Sequence, residues 1–390
     1  MLVEEIPLIL THPFDMVNNR VFASLLASFW SLAFPFLASA ATDPRLQVAL
    51  TLENPVNGVS TTPSGRTFVV FARVDGSKGP QVAEYTNNTF VPYPDAEWNS
   101  YTSGSDPATH LIRTNGQRIG PDGTLWIVDT GSPGFGLPVI LPNGPKFVQV
   151  NLTTNAVQRV WNLGNVTLAD SLIDDIRFNP AANLAYVTDA GVPAIIVMDL
   201  TTGEARRVLE GEPSTKGAPF PISAEGQLLH SASTGEWQYI YADQHEVSPD
   251  AKYYYFQPCN GGMSRIETQY LNEAFYNSSL ASVLEQFVEP FALTPSTGGT
   301  AIDADGNIYN SDTDRQAIIK IAPNGTWSTF VQDDRLLWVD AMWIDDQKRL
   351  WMPAAQLNRG TPFNNVSYVQ PPLYVFTIDI GAGPPKIDHP

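Results

Sequence analysis

One cysteine, Cys259, stands among 390 residues, so no intramolecular disulfide can form and stability must come from a packed core. Basic residues are also scarce. Lys and Arg number 22 against 40 Asp and Glu, a formal net charge of −18, which argues against nucleic acid or an anionic membrane surface as the main partner. The histidines His110, His230 and His245 are scattered and no His/Cys cluster exists, so a zinc site is not indicated. There is no D-x-D-x-D-G calcium loop, no G-x-S-x-G elbow and no phosphate-cradling glycine loop, and serine-hydrolase and nucleotide chemistry drop away. A free thiol at Cys259 leaves a catalytic cysteine as a minor reading. Beyond residue 40 no stretch is apolar enough to cross a bilayer.

The one long apolar run lies at the start. From Met16 the chain reads MVNNRVFASLLASFWSLAFPFLASAATDP, with Arg20 as the positive end, Val21 to Leu37 as the apolar segment and Ala38-Ser39-Ala40 as a small-x-small cleavage site. This is the pattern of a secretory signal, with a membrane anchor as the alternative. The acidic residues before Met16 fit it badly and make Met16 a candidate start. Residues 1–41 are read as extension and signal, and 42–390 as the folded chain. N-x-S/T sequons begin at Asn87, Asn151, Asn165, Asn277, Asn324 and Asn365, consistent with glycosylation in the secretory pathway and a secreted or vesicular product.

With 43% hydrophobic residues the chain can bury a large core, and an internal repeat indicates its form. GPDGTLWIVDTG (120–131) joins a tight turn to a strand and a polar stop. The phrase returns as TPSGRTFVVFAR (62–73), NPAANLAYVTDAG (179–191), SPDAKYYYFQP (248–258), DADGNIYNSDT (303–313) and DDQKRLWMPAAQ (345–356). Further hairpins follow several copies, at KFVQVNLTTNAVQRVW (146–161), AIIVMDLTTGEARRVL (194–209) and AIIKIAPNGTWSTF (317–330). Six copies, each able to supply about four short strands, predict an all-β, six-bladed β-propeller. The stretch 266–287 reads as helix and is expected as an insertion over one end.

Propellers gather polar strand ends around a central channel, so two sets of residues are candidates. The strand stops are Asp129 and Thr130, Asp189, Gln257, Asp312 and Asp314, then Gln356, Asn358 and Arg359. A second set precedes the turns: Asp174 and Asp175, Asp243 and His245, Thr300, and Asp340. A carboxylate at a strand end also caps its own turn, and that structural role stays open for Asp129 and Asp189. Loop aromatics, namely Tyr93, Trp98, Tyr101, Phe135, Trp237 and Phe363, would suit a large, flat, apolar ligand over the channel mouth.

The phrases LWIVDTG, KFVQVNLTT, IDDIRFNPAANLAYVTDAG, SPDAKYYYFQP, DADGNIYNSDTDRQAI, RLLWVDAMWI and AAQLNR resemble the yellow / major royal jelly protein family, in the family's order, over roughly residues 45 to 380. The resemblance implies secreted six-bladed propellers, some acting on oxidised catechols such as dopachrome, others binding amines or serving as nutrient proteins. The chain departs from the family at Gln244-His245-Glu246 and at Gly298-Gly299-Thr300, where an Asp-Gly pair is usual. A distant resemblance to gluconolactonases implies a divalent ion, although their ligand set is not matched here residue by residue; a channel calcium ion stays open. A third resemblance, in overall character, is to fungal hetero-Diels–Alderases that join a tropolone-derived quinone methide to a humulene-type sesquiterpene in meroterpenoid biosynthesis.

That chemistry needs no cofactor, only orientation and hydrogen-bond donors at the heterodiene carbonyl. On this expectation the protein is a monomeric pericyclase of small hydrophobic and aromatic substrates. His245, Arg359, Asp175 and Asp340 are its catalytic candidates. Asp129, Thr130, Asp189, Gln257, Thr300, Asp312, Gln356, Asn358, Trp98 and Trp237 are its substrate-binding candidates. A yellow-type isomerase, a non-catalytic binding propeller and a metal-dependent lactonase are the alternatives.

Overall fold

Each repeat phrase has a positive φ at its turn: Gly65, Gly123, Asn183, Ala251, Gly306 and Lys348. Each closes a turn by donating its N–H to the carbonyl three residues back, as Gly123 does to Gly120 at 2.9 Å. Glycine and asparagine take this left-handed geometry readily; Ala251 and Lys348 take it at some cost. Around such turns the β-branched and aromatic runs pair as antiparallel hairpins.

The computed structural model describes residues 42–73 and 78–390. They form six four-stranded antiparallel sheets, a six-bladed propeller. In chain order the blades begin with the inner strands Val56–Thr61, Thr114–Ile119, Ile173–Asn179, Ala242–Val247, Thr300–Ile302 and Trp343–Ile344. The sixth blade closes the ring. Its outer strand is the N-terminal Gln47–Leu52, paired with the C-terminal Leu373–Asp379 from Gln47↔Thr377 to Leu52↔Leu373. The core fills the wedges between blades: Trp126, Trp161 and Phe178 between the second and third, Tyr186, Tyr254 and Phe256 between the third and fourth. Inner strands come close where a side chain is missing. A Cβ on Gly299 would sit 2.3 Å from the Asp340 carbonyl, so glycine is required there.

The helical stretch corrects one expectation. Thr268–Tyr276 is an α-helix between the third and fourth strands of blade four, and its Leu271, Ala274 and Phe275 pack in the wedge against blade three. It lies on the flank of the ring and not over an end. The predicted signal falls outside the described residues, among which no helix is long and apolar enough to cross a membrane. Five sequon asparagines are exposed and Asn151 is half-buried, its Oδ1 accepting from the Thr153 and Thr154 N–H groups.

Candidate functional site

Where the inner strands begin, five blades place one amide or carboxyl at the channel mouth: Asn57, Asn115, Asp174, Asp243 and Asp340, with Gly298 at the corresponding place in blade five. They line a narrow, open-mouthed cavity of about 60 Å³. Asp174 and Asp243 face one another closely enough for their carboxyls to perturb each other. Burial pushes both carboxyls up, Asp174 well above the usual range, with the charge of Asp243 adding to it. Burial and Asp243 likewise hold Asp340 well above its ordinary value, although Trp338 Nε1 donates to it at 2.9 Å. Asn115 donates to Asp174, and Cys259 Sγ–H and Gln244 Nε2 both donate to Asp243 Oδ2. The Cys259 thiol is buried and pushed well up, so the catalytic-cysteine reading fails for want of a thiolate.

Below this ring the channel is ionic and closed. Arg177 makes a bidentate pair with Glu246 at 3.0 Å on each arm and a second pair with Asp175; Thr300 Oγ1 donates to Glu246 at 2.8 Å. The C-terminal tail plugs the far side: Asp388 pairs with Arg118, and His389 packs against Trp343 at 4.1 Å between ring centres. The channel is therefore a cup.

Long loops after the second strands of blades two and six wall the mouth with aromatics. Phe135 meets Phe363 edge-on at 5.8 Å, and Phe363 lies 6.1 Å from Trp338. Arg113, at the entry to the second inner strand, holds its guanidinium 6.0 Å from the Phe135 ring. Burial lowers its pKa to about 10, with Asp129 and Asp174 opposing.

The sequence-predicted residues divide between channel and scaffold. Asp340 lines the mouth, and Asp175 and Thr300 line the deeper cup. Asp129 instead accepts from the Ile112, Arg113 and Gly131 N–H groups and from Lys146 Nζ at 2.6 Å. Thr130 Oγ1 donates to the Arg113 carbonyl. Asp189 accepts from the Leu172, Gly191 and Val192 N–H groups and pairs with Arg207. Asp312 caps its own turn through the Asp314 and Arg315 N–H groups, and Gln257 accepts from Thr294. These strand stops sit one strand out from the channel and pin loops, which corrects their reading as substrate contacts.

His245 is also displaced. Its Nδ1 faces the Tyr254 hydroxyl at 2.8 Å, it is 1% exposed, and burial with Arg177 nearby holds it well below its ordinary value, so it is neutral and out of the cup. Arg359 and Asn358 both bind Glu225 on the hairpin Ser223–Ala224/Gln227–Leu228, with Arg359 contacts of 2.6 and 2.9 Å. They clasp two mouth loops together and line no cavity wall. Gln356 exchanges hydrogen bonds with the Gln370 backbone. Trp98 packs beside blade one, and Trp237 is 46% exposed, stacked on His230 at 3.9 Å. Missed by sequence reasoning were Asn57, Asn115 and Arg113. The first two carry a signal, since VNG (56–58) and TNG (114–116) match IDD (173–175), ADQ (242–244) and VDA (339–341).

The profile of the major royal jelly protein family matches residues 118–364. The chain belongs to that family. No curated protein matches the sequence significantly. Among solved structures, regucalcin from Agrobacterium tumefaciens, described as a calcium-binding protein, is similar at 11% identity and a TM-score of 0.52, over 88% of this chain and 97% of that one. A luciferin-regenerating enzyme gives 12% identity and 0.51, over 87% and 96%. A gluconolactonase from Xanthomonas campestris gives 11% and 0.50, over 88% and 92%. At such identities the likeness is one of fold. The royal jelly family chain shows no group of three or more His, Cys, Asp or Glu arranged for a metal among its described residues. Its mouth carboxyl oxygens face Cys259, Gln244 and Trp338 donors instead, which does not fit a metal-lactonase ligand set.

Proposed function

We propose that this family member is a cofactor-independent enzyme that activates a planar carbonyl compound by protonating it in the cup. In this proposal the reaction is the hetero-Diels–Alder coupling of a tropolone-derived quinone methide with a humulene-type sesquiterpene. One observation carries the reading: three buried carboxyls, Asp174, Asp243 and Asp340, converge beneath an aromatic wall, and burial pushes all three above the usual carboxylate range. A protonated carboxyl at Asp174, Asp243 or Asp340 gives its proton to the leaving hydroxyl of the precursor. The C–O bond breaks, water departs, and the ring enol returns a proton to the carboxylate, leaving the quinone methide. The same carboxyl then donates to the heterodiene carbonyl while Phe135 and Phe363 hold the terpene alkene over it; the cycloaddition forms two bonds and releases nothing.

Family membership supports a second reading, isomerisation of oxidised catechols, which needs only the proton transfer. The test runs both substrates with purified protein beside a protein-free control, reading adducts by chiral chromatography and mass spectrometry and dopachrome by absorbance. A single-enantiomer adduct formed faster than in the control supports coupling. Dopachrome turnover with a control-like adduct profile moves the assignment to the isomerase, and neither reaction leaves a binding protein. The proposal includes a secretory location; a mass shift on enzymatic deglycosylation of the exported protein is expected, and its absence would overturn that part.

A further inference from the structure

Arginines in the scaffold of this protein are paired. Arg177 and Arg118 bind carboxylates in the floor, Arg207 binds Asp189, and Arg359 binds Glu225. Arg113 differs. Its side chain makes no hydrogen bond or ion pair with any described residue, and its Nε is fully buried without a partner. It nevertheless stands where three cavities meet, of about 60, 410 and 180 Å³, and only Arg113 and Phe135 line all three. The chain fixes it there deliberately: Asp129 Oδ1 accepts the Arg113 N–H at 3.1 Å, and Thr130 donates to the Arg113 carbonyl from both its N–H and its Oγ1 at 3.0 Å. The strand stop of the repeat thus serves, in blade two, to aim a cation.

A half-buried guanidinium without a partner is completed well by an anion. Its planar fork matches a carboxylate or an enolate pair of oxygens, and the Phe135 face beside it matches a flat ring. Burial holds the nearby Asp174 carboxyl well above its usual range, which weakens its repulsion of an anion. We infer that the cup binds a small planar aromatic anion, its negative oxygens on Arg113 and its ring against Phe135, and that it rejects the corresponding cation. This rests on the proposed site as the ligand cup but not on the proposed reaction. The lowered pKa of Arg113 agrees, because a bound anion would restore it.

Calorimetry with four probes tests it: benzoate and tropolonate as the two sources of anion, benzamide as the neutral analogue, and benzylamine as the cation. Either anion is expected to bind about tenfold or more tightly than benzamide, with benzylamine weakest. Binding by benzoate alone assigns a carboxylate, and by tropolonate alone an enolate. Arg113→Gln should abolish the anion preference while leaving benzamide unchanged, and Arg113→Lys should retain part of it, both at unaltered melting temperature. If Arg113→Gln unfolds the protein, the probe series on wild type alone decides. Equal affinity for anion and amine, or an anion preference surviving Arg113→Gln, overturns the inference. Anion binding without any turnover sinks the proposed reaction and leaves this inference standing; turnover with no anion preference does the reverse.

Discussion

The two ends of one channel are built on opposite electrostatic plans. In the floor every charge has a partner: Arg177 with Glu246 and Asp175, Arg118 with Asp388, all of them buried. At the mouth the carboxyls outnumber the cations and are pushed up by burial, while Arg113 has no ion-pair partner among the described residues. Burial would raise Asp175, but Arg177 and Arg118 outweigh it and hold the floor carboxyl below its usual range. Burial raises Asp174 next door, and its carboxylate neighbours Asp243, Asp175 and Asp340 add to the rise. These two adjacent residues lie in the irregular start of the third inner strand, where Asp175 pairs with Arg177 in the floor and Asp174 faces Asp243 at the mouth.

The largest effect should come from breaking the floor. Arg177→Met strands Glu246 and Asp175 without a cation, and is expected to cost about 3–5 kcal/mol of unfolding free energy. Urea denaturation at constant slope measures it. A loss under about 1 kcal/mol would mean that water or relaxation re-pairs those carboxylates and that the floor is no scaffold. Next in size is the mouth's catalytic term. Asp340→Asn keeps the shape, removes the acid and is expected to lower turnover of the true substrate about 10²–10⁴-fold with little change in melting temperature. Unchanged turnover would remove Asp340 from the mechanism.

The comparison sharpens with pH. For the mouth carboxyls, whose folded values are raised, the favourable contribution is complete below 3.8 and is lost as pH rises through those values. Asp175, with a lowered value, contributes above 3.8 and loses that as pH falls through its folded value. Asp388 is the floor's exception: burial carries it to about 6 despite Arg118 and Arg177, so its loss falls between 3.8 and about 6. Asp174→Asn should therefore stabilise the protein at pH 8, by on the order of 1 kcal/mol, and flatten the decline from pH 5 to 8. A parallel pH–stability curve for wild type and variant would show that Asp174 ionises freely in the fold.

The fold was legible because each blade needs the same left-handed turn before its second strand, and Gly65, Gly123, Asn183 and Gly306 announce it. The mouth was half legible. Asp174, Asp243 and Asp340 occupy the same place at the inner strands of blades three, four and six, so a recurring carboxyl could be read from spacing. The strand stops repeat just as well and gave the opposite lesson. Asp129 and Asp189 recur because the loop ahead of each inner strand needs its N–H groups satisfied, and repetition alone does not separate that need from ligand binding. The pairing of Arg359 spans 134 residues and depends on a short hairpin between blades three and four, which no local pattern discloses. The buried tail was hidden for a related reason: Asp388 and His389 follow a polar, proline-rich ending, and only the ring's closure creates the channel that takes them in.

That clasp provides the smallest prediction. Glu225 is drawn below its ordinary value against the cost of burial, by Arg359 first and Asn358 with it, yet Arg359 is 22% and Glu225 30% exposed, so solvent screens the pair. Its worth to global stability is expected to be about 0–1 kcal/mol. Its effect should appear at the mouth instead, since the chain that follows the Glu225 hairpin donates from the Ala232 N–H to the Pro362 carbonyl beside Phe363. Arg359→Ala should free the Phe135–Phe363 wall, raising KM about two- to fivefold with kcat held, because a looser wall weakens substrate and transition state alike. Steady-state kinetics separate the cases. A fall in kcat at constant KM would return Arg359 to the chemistry and erase the division between a scaffold that is paired and a mouth that is not.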